Sequence, residues 1–207
     1  HLPLSDDAIL EAKTLMLGSH NILSPASGGP IAVPSQDMVL GIYYLTKVDD
    51  GKAGEGKTFS CPDEVIIAYD QNVIDLHAKI NVRITHTVNG EQKTEMIKTS
   101  TGRVLFNQVI PEPLAYKNTT FGKKELRNLI SEVFKTVGTQ GAAHFLDEMK
   151  TLGYETATRG GLSFNLSDII IPQEKIDLID RAQREVEEIQ ERYEMGFITD
   201  NERYNQV

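Results

Sequence analysis

The sequence has a single cysteine, Cys61, so neither a disulfide framework nor a cysteine zinc site can form within it. A reducing compartment fits that usage. Basic residues are short in supply: 21 Lys and Arg stand against 30 Asp and Glu, a net charge of −9. This argues against a chain that wraps nucleic acid by neutralising phosphates, although a small basic patch, or a role beside nucleic acid inside a larger assembly, is compatible with it. No apolar run approaches the roughly 20 residues that cross a bilayer, and no charged-then-apolar signal pattern opens the chain. The default expectation is cytoplasmic, with no membrane partner. Low-complexity tracts and internal repeats are also missing. The histidines His1, His20, His77, His86 and His144 show no metal-ligand spacing, so no metal site is expected within the chain. His86 is in phase with an apolar strand face and reads as a core or edge histidine. No Ser-His-Asp arrangement can be read from the sequence.

What is present suits a soluble α+β protein. Apolar residues make up 40% of the 207 positions and charged residues 25%, enough for a core in one or two domains. Ser5 is placed to cap a first helix, with Ala8, Ala12, Leu15 and Met16 as its inward face and Gly18 as its stop. Ser35 is placed to cap a helix over Met38–Leu45 that is apolar nearly all round, which predicts deep burial. Pro62 suits the first turn of a short helix. Alternation over Ile80–Val88 predicts a strand, Asn89-Gly90 a type I′ hairpin, and Glu91–Thr99 the returning strand. Arg103–Ile110 reads as a third strand. Leu126 to Val137 marks a helix stopped by Gly138, a weaker helix covers 140–152, and Gly160-Gly161 breaks the chain.

The C-terminal stretch predicts a helical hairpin. Ile176, Ile179, Ala182, Val186, Ile189 and Tyr193 fall at spacings of three and four, one stripe on a helix over Glu174–Glu194. Gly196 is its stop, and Thr199–Glu202 is a capping box opening another helix. A helix of the few residues that remain is marginal in water, so the hairpin reads as cut in its second arm and the chain as a piece of a larger protein. From Gln173 onward lie ten Asp and Glu and five Lys and Arg, a solvated acidic face. The expected division is a pore-type α+β region over 1–120, funnel-side helices over 121–171 and the truncated hairpin over 172–207. A non-catalytic scaffold that docks partners through this hairpin is one functional reading.

A second reading rests on Gly51-Lys-Ala-Gly-Glu-Gly-Lys-Thr58, which fits the G-x-x-x-x-G-K-[ST] pattern of a phosphate-cradling loop and would make a nucleotidase. That chemistry needs the loop to open directly into a helix. Pro62 falls where that helix would run, which favours an ordinary surface loop. Polar loops around Asn21 and around Ser35-Gln36-Asp37 lie between buried segments, where scaffold-held loops often act. Turn and capping chemistry explains them equally well.

These loops carry a resemblance. Asn21-Ile-Leu-Ser-Pro25 and Pro30-Ile-Ala-Val-Pro-Ser-Gln-Asp-Met-Val-Leu-Gly-Ile-Tyr-Tyr-Leu-Thr46 are similar to the β′ subunit of bacterial DNA-directed RNA polymerase. Further matches are His1–Ser5, which resembles the residues directly after the family's Asn-Ala-Asp-Phe-Asp-Gly-Asp motif, then Lys79–Ile84, Gly102–Pro111 and Gly196–Val207. The resemblance spans the chain in order. It implies a nucleotidyltransferase parent that makes RNA on a DNA template, with Mg²⁺ and Zn²⁺ in the parent subunit and none in this segment. The family's catalytic aspartates are not among these residues, so the isolated chain is expected to be inactive. The implied place is the lining of the secondary channel, beside the other polymerase subunits, template and product. Asn21, Gln36 and Asp37 are then expected on the active-centre side, Gln36 either bonding an incoming nucleotide or bracing the catalytic loop. Met195, Gly196, Phe197, Thr199, Asp200 and Asn201 form the expected docking tip for channel-entering regulatory factors. Some relatives hold guanosine tetraphosphate through a Lys, an Asp and a Tyr where this chain has Gln140, Asp147 and Thr151, so that pocket is not expected here.

Overall fold

The computed structural model describes residues 2–88 and 91–207, and the chain divides into one compact unit ending at Leu162 and a second spanning Ser163–Val207. His1 and the Asn89-Gly90 turn lie outside the described residues. In the first unit, Ser5 caps α1 (Asp6–Glu11) by accepting from the Ala8 amide at 3.3 Å. The helix runs on through a wider π-helical turn to Met16. Its expected inward face is not one: Leu15 and Met16 are 68% and 77% exposed, and α1 buries no residue.

The core of the unit is a helix pair. α2 (Asp37–Thr46) crosses α5 (Lys123–Gly160). The cap expected of Ser35 is absent. The N-cap is Gln36, whose side chain makes no capping bond. Burial on α2 is one-sided rather than deep all round. Gly41, Ile42, Leu45 and Thr46 are enclosed, while Leu40 and Tyr43 face out. Gly138 interrupts α5 with φ of 72°, giving two arms, 123–137 and 139–160. Left-handed Gly161 ends the second arm, as the glycine pair predicted. This arm outruns the expected 152 because Gly153 and Thr156 are also buried against neighbours. Ile42, Leu45, Leu126, Ile130, Phe145 and Met149 centre the helical core.

A small sheet forms the other layer. β2 (Lys79–Val88) pairs antiparallel with β3 (Glu91–Ser100), as the alternation predicted. A two-residue strand, β1 (Thr58–Phe59), adds parallel to β2, so the sheet is mixed, in the order β1-β2-β3. Two residues carry no readable period. α3 (Pro62–Asp70), with Pro62 in its first turn, joins β1 to β2. Phe59, Val65, Ile80, Val82, Ile84 and Val104 make a second core beneath the sheet.

The third strand expected over 103–110 is instead α4 (Thr101–Asn107), capped by Ser100. Val104 and Phe106 are both enclosed, which mimics strand alternation. They serve different cores: Val104 joins the sheet cluster and Phe106 the helical one. A helix wedged between two cores is apolar on two sides, and its period is then hidden.

In the second unit, α6 (Glu174–Glu194) covers the predicted span, Gly196 turns the chain at φ of 80°, and Thr199 caps α7 (Asp200–Gln206) reciprocally with Glu202. α6 buries no residue: Ile176 and Ile179 of its stripe are 66% and 54% exposed.

Candidate functional site

The loop that fits the phosphate-cradle pattern is spent on itself. The Gly51 amide donates to Glu55 Oε2 at 2.7 Å, Glu55 to the Lys52 carbonyl, Gly56 to the Lys79 carbonyl, and Lys57 to the Gly54 carbonyl. A cradle needs those N–H groups pointing at a ligand from a helix N-terminus. Here Thr58 enters a strand, and Gly54 packs on Ile74 in a left-handed conformation that leaves no room for a Cβ. The nucleotidase reading is overturned.

A polar clasp that sequence reasoning missed holds the unit together. Thr46 Oγ1, at the end of α2, donates to the Ile42 carbonyl and accepts from the Phe121 amide, both at 2.9 Å. The Arg103 guanidinium donates to the Thr46 carbonyl at 3.0 Å, to Asn118 Oδ1 at 3.0 Å and to Thr120 Oγ1 at 3.0 Å. One turn on, Asn107 bonds both backbone groups of Lys117. Thr99 donates to Asn118 Oδ1, so Tyr116 O–H donates to Thr99. Burial pushes the Tyr116 hydroxyl up to about 12, with the Thr99 bond and Arg103 pulling the other way. The only local signal was Arg103 and Asn107 four apart on one helix face. Their partners lie far along the chain.

Of the residues expected on the active-centre side, Asn21 serves the local fold. Its amide donates to the carbonyls of Leu15 and Leu17 at 2.8 and 3.0 Å, closing the end of the first helix. Gln36 and Asp37 adjoin at the start of α2, both exposed. Gln36 lines a shallow groove of about 330 Å³ with Val39, Leu40, Tyr43 and Lys123. Its φ of 48° with ψ of −124° is a conformation that only glycine adopts cheaply. Such strain costs about 1–3 kcal/mol and gathers at functional positions. Gln36→Gly is therefore expected to stabilise the chain by about 1 kcal/mol, after glycine's own entropic cost. Gln36→Ala keeps the strain and should leave stability unchanged. Denaturant unfolding of the two variants decides it: a Gly variant no more stable than the Ala variant would show a relaxed backbone.

The structure brings the six tip residues together at one turn. Met195 and Phe197 are largely exposed on it, and Asp200 binds Arg203 at 2.7 Å. Gln140, Asp147 and Thr151 all lie on α5, where Asp147 pairs with Lys150 at 2.9 Å, which holds its carboxyl below the usual range. Among the described residues, no three His, Cys, Asp or Glu gather as a metal ion requires. Among them, too, no helix is long and apolar enough to cross a membrane.

Comparison with known proteins gives the arrangement a lineage. The model of the family RNA polymerase Rpb1, domain 3, matches residues 21–169. Across its whole length the chain is 56% identical to DNA-directed RNA polymerase subunit beta′ of Phocaeicola vulgatus and 54% identical to that of Bacteroides fragilis, covering 15% of each. It is 50% identical to the Salinibacter ruber subunit, covering 14% of it. The chain thus spans about 15% of the length of the curated relatives it matches. With the α2–α5 pair, the mixed sheet and the Arg103 clasp all inside the matched residues, the chain belongs to the RNA polymerase Rpb1 domain 3 family.

Proposed function

We propose that this chain is a segment of the polymerase β′ subunit that lines the path of nucleotides beside the active centre during template-directed RNA synthesis. The observation that carries the reading is the collinear match along the whole chain to beta′ subunits, at 56% identity. Its contribution is positional. The clasped α2–α5 pair is a rigid base, and Gln36 and Asp37 stand at the exposed start of α2, with Asn21 bracing the preceding turn. The parent would act in the cytoplasm with the other polymerase subunits, DNA template and RNA product. Mg²⁺ and Zn²⁺ would belong to the parent subunit. Residues 1–120 would form the pore-type region, 121–171 the funnel-side helices and 172–207 the start of the rim hairpin.

The α6–α7 turn is the proposed docking point for regulatory factors that enter the channel. Exposed Met195 and Phe197 supply apolar anchors beside the acidic α6. The test uses complete polymerase carrying this segment. Phe197→Asp is expected to weaken binding of a channel-entering factor at least tenfold, and Gln36→Ala to raise the KM for nucleotides. Unchanged factor binding would remove the docking assignment. An unchanged KM would remove the active-centre assignment.

A further inference from the structure

We propose that the cavity where β2, β3 and α4 meet is an oxyanion site that takes one phosphate or carboxylate group. It holds about 400 Å³, and its wall includes Glu55, Lys79, Asn81, Lys98 and Arg103. The strand register sets the charges. Lys79 pairs with Ser100 and Lys98 with Asn81. Side chains alternate across a strand, so Lys79 and Lys98 stand on the same sheet face as diagonal neighbours, their strand positions about 7–8 Å apart. Like charges on neighbouring strand positions of one face repel.

The counter-charges are unevenly shared. Lys79 is answered by Asp50, with Glu55 also near it. Lys98 makes no ion pair among the described residues. Arg103 is half-buried, yet every acceptor it meets is neutral: the Thr46 and Asn118 carbonyls, the Asn118 amide oxygen and the Thr120 hydroxyl. A guanidinium carries five N–H groups, so at least one is left over. Burial pushes its pKa down, and no carboxylate pulls it back. Glu55 is the one carboxylate in the wall, and its Oε2 is turned into its own loop by the Gly51 amide. The cavity therefore presents two cations without a counter-charge among the described residues, in a chain whose net charge is −9. For half-buried Arg103 the missing counter-charge is costly, and an oxyanion held between it and exposed Lys98 removes that cost. None of these residues is among those assigned above to the nucleotide path or the docking turn, so the site stands independently of that assignment.

The test is a titration of the 207-residue chain with inorganic phosphate, and separately with acetate, against chloride at constant ionic strength. The readouts are melting temperature and amide shifts. A saturable rise in melting temperature is expected, with shifts centred on Lys98 and Arg103. Lys98→Gln should weaken the apparent affinity at least fivefold. Lys98 is exposed, so the variant folds, and an unchanged far-ultraviolet spectrum checks this. Lys79→Gln gives a second reading of the same site, and Lys124→Gln, on exposed α5 surface, should have no effect. Saturation by phosphate alone assigns a phosphate ligand. Saturation by acetate assigns a carboxylate. A response that follows ionic strength only, or one that Lys98→Gln leaves unchanged, overturns the proposal.

Discussion

Replacing Gly41 with alanine is expected to destabilise the first unit by about 3 kcal/mol, lowering the melting temperature by roughly 6–12 °C. The reason lies in the crossing of α2 and α5. A Cβ on Gly41 would fall on the Gly153 carbonyl oxygen and come within 3.0 Å of the Ala157 amide nitrogen. The reverse holds too: a Cβ on Gly153 would come within 2.8 Å of the Met38 carbonyl oxygen. These obstacles are backbone atoms, so no side chain can swing aside and the helices must separate. Separation opens gaps around Ile42 and Leu45, which are fully or almost fully enclosed. Alanine gains about 1 kcal/mol in helix propensity over glycine, which offsets only part of the loss. Urea unfolding should show a lower midpoint with an unchanged slope. Gly18→Ala is the control, since a Cβ there meets nothing within 4 Å. A Gly41→Ala chain as stable as the parent would show that the two backbones do not touch.

The second large loss is expected at Phe106. Truncation to alanine should cost about 3–5 kcal/mol. Phe106 is fully enclosed, its ring centroid lies 4.6 Å from that of Phe121, and it packs in the core shared by α2 and both arms of α5. A double variant separates helix from strand at this segment. Because α4 sends Val104 and Phe106 into different cores, the losses from Val104→Ala and Phe106→Ala should add within about 0.5 kcal/mol. Strong coupling between them would restore the strand geometry, in which both point the same way.

Capping and turn chemistry makes several boundaries readable in the sequence alone. Ser5, Gly161, Gly196 and the Thr199–Glu202 pair each act within four residues of themselves, and each falls where local rules put it. The β2–β3 pair was legible because one face is buried and the other wet. Failures came where distant contacts decide. Ser35 has the right chemistry for a cap, but the chain turns at Gln36 in a left-handed conformation instead. Leu15 and Met16 follow a helical period without covering anything in this unit. The Arg103 clasp joins residues 57 and 15–17 positions away, and no periodicity reports such a bond. The family was legible in the loop motifs, whereas the cavity at Lys98 needed the strand register to be seen.

The Thr46–Phe121 hydrogen bond has an architectural consequence. It joins two residues 75 positions apart, the point where the chain leaves α2 and the point where it heads into α5. Everything between is an insert with its entrance and exit pinned together. The insert reaches back into the helix pair chiefly through α4, with Phe106 as the plug. A chain pinned in this way tolerates length changes at its exposed turns. Doubling a flexible loop inside it costs only about 0.6 kcal/mol of closure entropy, and none of that strain reaches the α2–α5 crossing. Divergence in length should therefore collect inside the insert, while the spacing from Gly41 to Thr46 and from Phe121 to Gly153 is held rigidly.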